Sequence, residues 1–233
     1  MSPIIVLIGV FFIVVLASML GSMVGGGSLL SIPFLMLVGL PPQVAIATDR
    51  FGSVGAAITA FVKFRKAKKI VWKHVLILSI LSLIGSLIGA NILLNINPDI
   101  LHIIVGVILL ILLPFILLNF LGLSIYLLVQ IFTGFFGGGT GPIIFYTLMI
   151  FFGFTIIEAN ATQVIPVLIL YLSSLIIFAL NGIIDYKIGT VLLAGMAIGG
   201  YLGAHLALKK GNKWIKGLFA VVVIISGIRL LFF

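Results

Sequence analysis

The chain has 233 residues, 63% of them hydrophobic and 7% charged, with a mean hydropathy of +1.48 and a net charge of +9. A soluble domain carries about 25% charged residues, so this composition cannot supply a water-facing surface and leaves no room for a soluble domain. Cysteine is absent, which removes disulfides, thiolate nucleophiles and thiolate metal sites.

No charged residue occurs from Met1 to Ala47, and none between Asp99 and Glu158. One helical span needs about 20 apolar residues, so each of these stretches enters hydrocarbon more than once. The opening Met-Ser-Pro and apolar run lack the basic start of a cleaved leader and read as a retained first helix, 3–24. Further apolar pieces follow at about 28–40, 43–63, 73–94 and 99–118. A second set covers about 123–136, 140–154, 157–181, 187–208 and 213–233. The expected fold is all-α and integral to the membrane, a single membrane domain over 1–233.

Sliding the chain along itself by about 112–114 positions exposes a repeat. Gly25-Gly26-Gly27-Ser28 falls on Gly137-Gly138-Gly139-Thr140, and Ala47-Thr48 on Ala161-Thr162. Ile70-Val71-Trp72-Lys73 meets Ile184-Asp185-Tyr186-Lys187, and Gly85, Gly89 and Ala90 meet Gly199, Gly203 and Ala204. The copies are about 1–120 and 121–233. Pieces 28–40, 123–136 and 140–154 are short for a core of about 30 Å. Each flanks a glycine triplet, which predicts a helical hairpin that dips into the membrane and returns. Piece 3–24 is long enough to cross, an excess that tilt absorbs.

Charge sets orientation. Six of the thirteen Lys/Arg lie within Lys63–Lys73 and four within Lys209–Lys216, between apolar runs, as cytoplasmic loops do. This pattern points to topology rather than to a nucleic-acid partner. With Lys63–Lys73 inside, Lys209–Lys216 lands inside only if 123–154 is a hairpin. The two copies then have inverted topology, and both termini lie outside.

Inverted repeats with broken helices recur in secondary transporters, with substrate at the repeat interface. Helix starts at Ser28 and Thr140 would offer unpaired N–H groups and positive dipole ends to an anion. The expected site is Gly25, Gly26, Gly27 and Ser28 with Gly137, Gly138, Gly139 and Thr140, joined by Thr48, Arg50, Thr162 and Gln163. In the bland alternative the glycines only permit packing and the hydroxyls only cap. Ionisable residues inside a membrane are costly and usually functional, so Arg50 is a candidate anion ligand and Asp49 a candidate carrier of a coupling proton. The alternative for these two is a structural ion pair. Glu158 follows Thr155 at capping-box spacing. Asn91 and His205 are expected to bond between helices, and the Gly85/Gly89 and Gly199/Gly203 pairs to bring helices close.

The run Gly-Gly-Gly-Ser-Leu-Leu-Ser-Ile-Pro-Phe-Leu at 25–35, Ala47-Thr48, the second triplet, Ala161-Thr162 and Gly-Gly-Tyr-Leu-Gly-Ala at 199–204 resemble the TauE/SafE family of probable sulfite exporters. Trp72 and Tyr186, each before a lysine, strengthen the likeness, which covers essentially the whole chain. It implies a transporter of sulfur-containing anions such as sulfite or organosulfonates, with the glycine and Ala-Thr motifs on the substrate path. Where the family often has a small hydroxyl residue after the threonine, this chain has Asp49 and Gln163. No Walker-type phosphate loop, zinc-protease motif or nucleophile elbow occurs, so neither an enzyme nor a cofactor or metal is expected. The alternatives to a carrier are a passive anion channel and a membrane assembly partner.

Overall fold

A computed structural model describes residues 3–96 and 122–232, and all the elements among them are α-helices. They are α1 (Pro3–Val24), α2 (Ser28–Leu37), α3 (Pro42–Lys66), α4 (Trp72–Asn95), α5 (Gly122–Phe135), α6 (Thr140–Phe152), α7 (Ile156–Leu180) and α8 (Tyr186–Phe232). The expected piece 99–118 lies outside the described residues. The pieces expected at 187–208 and 213–233 form one helical run, α8, interrupted at Gly211 (φ 80°, ψ 174°).

Among the described residues, four helices are long and apolar enough to cross a bilayer, at Leu7–Val24, Trp72–Asn95, Ile156–Leu180 and Tyr186–Leu218. α3 is 25 residues long but carries Asp49, Arg50 and three basic residues in its last turn. Large apolar side chains such as Phe12, Leu76, Ile176 and Leu180 point outward, as a lipid-facing surface requires. Trp72 and Tyr186 sit exposed at the starts of α4 and α8, where amphipathic aromatics suit a membrane–water interface.

Two hairpins form: short α2 folds back on the longer α1, and short α5 pairs with short α6. Gly27 packs back on α1, where a Cβ would lie 2.7 Å from the Ala17 carbonyl oxygen. In the second hairpin a Cβ on Gly122, at the start of α5, would lie 2.6 Å from Cβ of Phe151, near the end of α6. That contact puts both ends of the α5–α6 hairpin at one level.

The long helices interlock through small residues. α1 runs along α8 in the same direction: Gly195 faces Phe11 and Val14, Gly199 faces Val15 and Ser18, and Gly203 faces Met19 and Ser22. α5 runs along α4 in the same way, with Gly85 against Gln130 and Gly89 against Gly134. Both glycine pairs thus provide the close approach their spacing predicts.

α3 and α7 run antiparallel, because each is tied near its start to the helix that follows the other. The backbone N–H of Asp185 donates to Thr48 Oγ1 at 3.1 Å, and that of Val71 to Thr162 Oγ1 at 3.0 Å. Both lysine clusters lie at one end of the bundle. Lys63 Nζ sits 4.0 Å from the Tyr201 ring centroid, and Asn212 Oδ1 accepts from the Ile157 N–H at 3.2 Å beside the second cluster.

Candidate functional site

The hairpin tips meet at Gly25 and Gly141. A Cβ on Gly25 would lie 2.6 Å from Cα of Gly141, and one on Gly141 would lie 2.5 Å from Cα of Gly25. No other residue allows two backbones to approach so closely. Beside this crossing lies a cavity of about 120 Å³, walled in part by Gly25, Gly26, Gly27, Ser28, Gly137 and Thr140. One water needs about 10–15 Å³ on this measure. The space therefore suits a small ion with some water, well below the roughly 300 Å³ at which drug-sized ligand sites begin.

Ser53, Asn160, Gln163 and Tyr171 add to the polar wall, together with Ser18, Ser22 and Thr133. Gly138 and Gly139 belong to the second tip but not to the wall: Gly138 packs by Phe136 and Gly139 by Leu29.

The turns differ between the halves. Gly25 and Gly26 have φ of +81° and +82°, whereas in the second triplet Gly137 and Gly139 have φ of +78° each. Neither Ser28 nor Thr140 caps its helix; the N-caps are Gly27 and Gly139. The Ser28 hydroxyl donates to Asp49 Oδ2 at 2.8 Å, and that of Thr140 to the Gly137 carbonyl at 3.2 Å. The first-turn N–H groups of α2 are partly used as well, Leu29 donating to Gly26 at 2.9 Å and Leu30 to Gly27 at 3.0 Å.

Asp49 and Arg50 are each 1% exposed. Asp49 accepts from Ser28, from Ser31 and, at 3.5 Å, from Ser53. The carboxylate is therefore held by hydroxyls, and among the described residues no hydrogen bond joins it to Arg50. The guanidinium turns the other way. Its Nη2 donates to the Thr133 carbonyl, its carbon lies 5.1 Å from the Tyr171 ring centroid, and Nε and Nη1 make no hydrogen bond among the described residues. Gly137 lies directly against it, so a Cβ there would strike the guanidinium. Arg50 itself does not line the cavity; it sits behind Gly137, Thr133 and Tyr171, which do.

Gln163 occupies the place in the second half that Asp49 has in the first. Its Oε1 accepts from the Tyr126 hydroxyl at 2.7 Å, and its Nε2 is buried with no acceptor among the described residues. Asn160 closes the end of α1, its Nδ2 donating to the carbonyls of Ser22 at 2.7 Å and Met23 at 3.2 Å. Those carbonyls would otherwise be orphaned where the helix breaks.

Thr48 and Thr162, expected beside the glycine turns, are fully buried and absent from the cavity wall; their hydroxyls accept the N–H groups of Asp185 and Val71. Successive helical residues point about 100° apart. Asp49 and Gln163 therefore face inward while the preceding threonines face the neighbouring helix.

The Thr155–Glu158 capping box is present. Asn91 and His205 both lie exposed on the outer surface, and Asn91 bonds within its own helix to the Leu87 carbonyl at 2.7 Å rather than across to another.

Sequence reasoning missed Ser31, Ser53, Asn160 and Tyr171. Ser31 follows Ser28 by three and Ser53 follows Asp49 by four, spacings that share a helix face. Tyr171 follows Gln163 by eight and lies about two turns along the same face.

The family model described as sulfite exporter TauE/SafE matches residues 10–230. Among curated proteins, the chain is 29% identical to the probable membrane transporter protein YfcA of Escherichia coli, over 97% of this chain and 90% of that protein. It is 27% identical to a probable membrane transporter protein of Haemophilus influenzae, over 88% and 87%. The probable membrane transporter protein YunE of Bacillus subtilis is 23% identical, over 93% and 94%. No solved structure matches the chain. With its membrane-length helices, the chain is a multi-pass membrane protein, and it belongs to the TauE/SafE sulfite exporter family of membrane transporters.

Proposed function

We propose that the protein carries a small sulfur-containing anion, sulfite or an organosulfonate, by alternating access, with the anion bound in the cavity between the two glycine-broken hairpins. The single observation that carries this reading is Arg50. It is a buried guanidinium with two nitrogens that hydrogen-bond nothing among the described residues, neighbour to Asp49 but not hydrogen-bonded to it, and set against the cavity wall at Gly137. Buried polar groups in native proteins are paired with few exceptions, and an anion supplies the acceptors these two nitrogens lack. The Gln163 Nε2 adds a neutral donor on the wall itself. Backbone N–H groups of the Gly25–Ser28 and Gly137–Thr140 turns, where free, complete the shell.

Two inverted repeats, 1–120 and 121–233, give this carrier its two-sided access. Support comes from the swap of contacts between the copies. α1 on α8 corresponds to α5 on α4, Thr48 on Asp185 corresponds to Thr162 on Val71, and α3 runs antiparallel to its mate α7. Thr48 and Thr162 act in this reading as clamps between the copies rather than as ligand groups, since their oxygens already accept N–H groups. The lysine-rich end faces the cytoplasm under the positive-inside rule, which leaves both termini outside.

The test is a proteoliposome flux panel of sulfite, sulfate, thiosulfate and small sulfonates. Uphill movement of at least one, lost on replacing Arg50, is the expected outcome. Downhill movement alone points to a channel, and no movement rejects the anion-carrier reading.

A further inference from the structure

A carboxylate beside an anion cavity needs a role of its own. Asp49 is 1% exposed and accepts hydrogen bonds from Ser28, Ser31 and Ser53. Two of those donors, Ser28 and Ser53, are also cavity wall, so a hydrogen-bonded path of a single hydroxyl joins the cavity to the buried acid. The charged or titratable groups facing it are Arg50 on its own helix and Tyr171 from α7. α2 contributes only serine hydroxyls, and α8 contributes Met196, whose sulfur lies 3.6 Å from the Ser53 hydroxyl. The mate of Asp49 in the second half is Gln163, which does not titrate.

We propose that Asp49 is a proton-binding site of the carrier, and that one proton is carried with each monovalent anion. The proposal rests on the anion-carrier reading above. While Asp49 is ionised, its charge offsets the neighbouring guanidinium, and an arriving anion would stand uncompensated in a pocket of low dielectric. A proton from cavity water, relayed by Ser28 or Ser53, adds to a carboxylate oxygen as an O–H, which then donates to a serine oxygen. Arg50 is left unopposed, and the anion restores neutrality. Release on the other side reverses both steps, and no bond within the anion forms or breaks. Because acid and guanidinium both belong to the first half, the stoichiometry is one. Sodium suits the cluster less well. The hydroxyls already occupy the carboxylate oxygens, and the described residues hold no cluster of acids or histidines of the kind that would help to build the oxygen cage of a hard cation.

The experiment uses the full-length protein in proteoliposomes with methanesulfonate, whose charge is constant across the working pH range, and an internal dye that reports proton entry. An inward acid gradient is expected to accumulate the anion about tenfold per pH unit, as one-to-one coupling requires, with matching proton entry and no response to a sodium gradient. In Asp49→Asn, exchange of the anion persists at a lower rate, but affinity no longer changes with pH and the acid gradient drives no accumulation. In Ser53→Ala, which keeps the acid but removes one donor to it, the pH midpoint of uptake moves upward. Accumulation indifferent to pH, or driven by sodium, overturns the coupling and leaves the carrier standing. A folded Asp49→Asn protein that exchanges no anion also overturns it, by making Asp49 structural. If no anion of the flux panel moves under any gradient, the carrier reading fails and the coupling falls with it.

Discussion

The two hairpin tips share a framework and differ in their chemistry. Each half has a glycine triplet, a glycine pair that receives the first helix of the other half, and a threonine that accepts the N–H of the residue just before the other half's fourth helix. At the tips, however, the first half presents Asp49 among three serines, with Arg50 reaching across to Gly137 of the second half. The second half answers with Gln163, bonded to Tyr126 and with an amide nitrogen that finds no acceptor among the described residues. Backbone approach must be matched on both sides if two tips are to cross. Charge need not be, and in the proposed coupling one cation beside one acid makes a neutral pocket that responds to a proton. In the proposed function, positions that swap between halves serve architecture, and positions that do not swap serve the ligand.

The sharpest way to break this division is Arg50→Gln, which removes the cation and has no counterpart in the second half. Loss of a buried charged partner costs about 2–5 kcal/mol of binding, so anion affinity is expected to fall at least about thirtyfold in equilibrium binding. Next is Gly137→Ala. Its φ of +78° disfavours any side chain, and the new Cβ would collide with the guanidinium. Strain of about 1–3 kcal/mol should appear in thermal unfolding together with lost transport. Gly138→Ala next door should cost less, because it meets the edge of the Phe136 ring, which can turn aside.

The matched pair comes next. Thr48→Val and Thr162→Val each remove the acceptor of one backbone N–H. Each should lower stability by about 1–2 kcal/mol, to a similar extent, and the two losses should add, because the clamps lie far apart. A large effect at only one of them would show that the framework is not shared. The smallest effect is expected for Asn91→Ala, whose side chain lies exposed on the outer surface and bonds its own helix. Transport and stability should both stay within about 0.5 kcal/mol of the parent.

Helix order and the two breaks were legible because hydrophobic length and glycine triplets are local signals. The ends expected at 28–40 and 140–154 contract to Leu37 and Phe152, where Gly39 and Gly153 take left-handed conformations that stop the helix. The cavity wall was only half legible. Gly25, Gly26, Gly27, Ser28, Gly137 and Thr140 lie in the motifs, but Ser53 does not, and Asn160 and Tyr171 come from α7 and show their role only once α7 lies beside the first break. Thr48 and Thr162 misled for a geometric reason. They sit next to the right residues in sequence, but a rotation of about 100° per residue turns them to a different neighbour.

The central claim is that the tips reach one cavity from opposite faces of the membrane. Because the chain has no cysteine, single cysteines can be placed at Leu37, 85% exposed at the end of the first hairpin, and at Thr155, exposed just beyond the second. Each is then challenged with an impermeant maleimide from one side at a time. The expected result is labelling of Leu37→Cys from outside only and of Thr155→Cys from the cytoplasmic side only. Labelling of both from the same side would contradict the inverted entry of the hairpins and the shared anion cavity built on it.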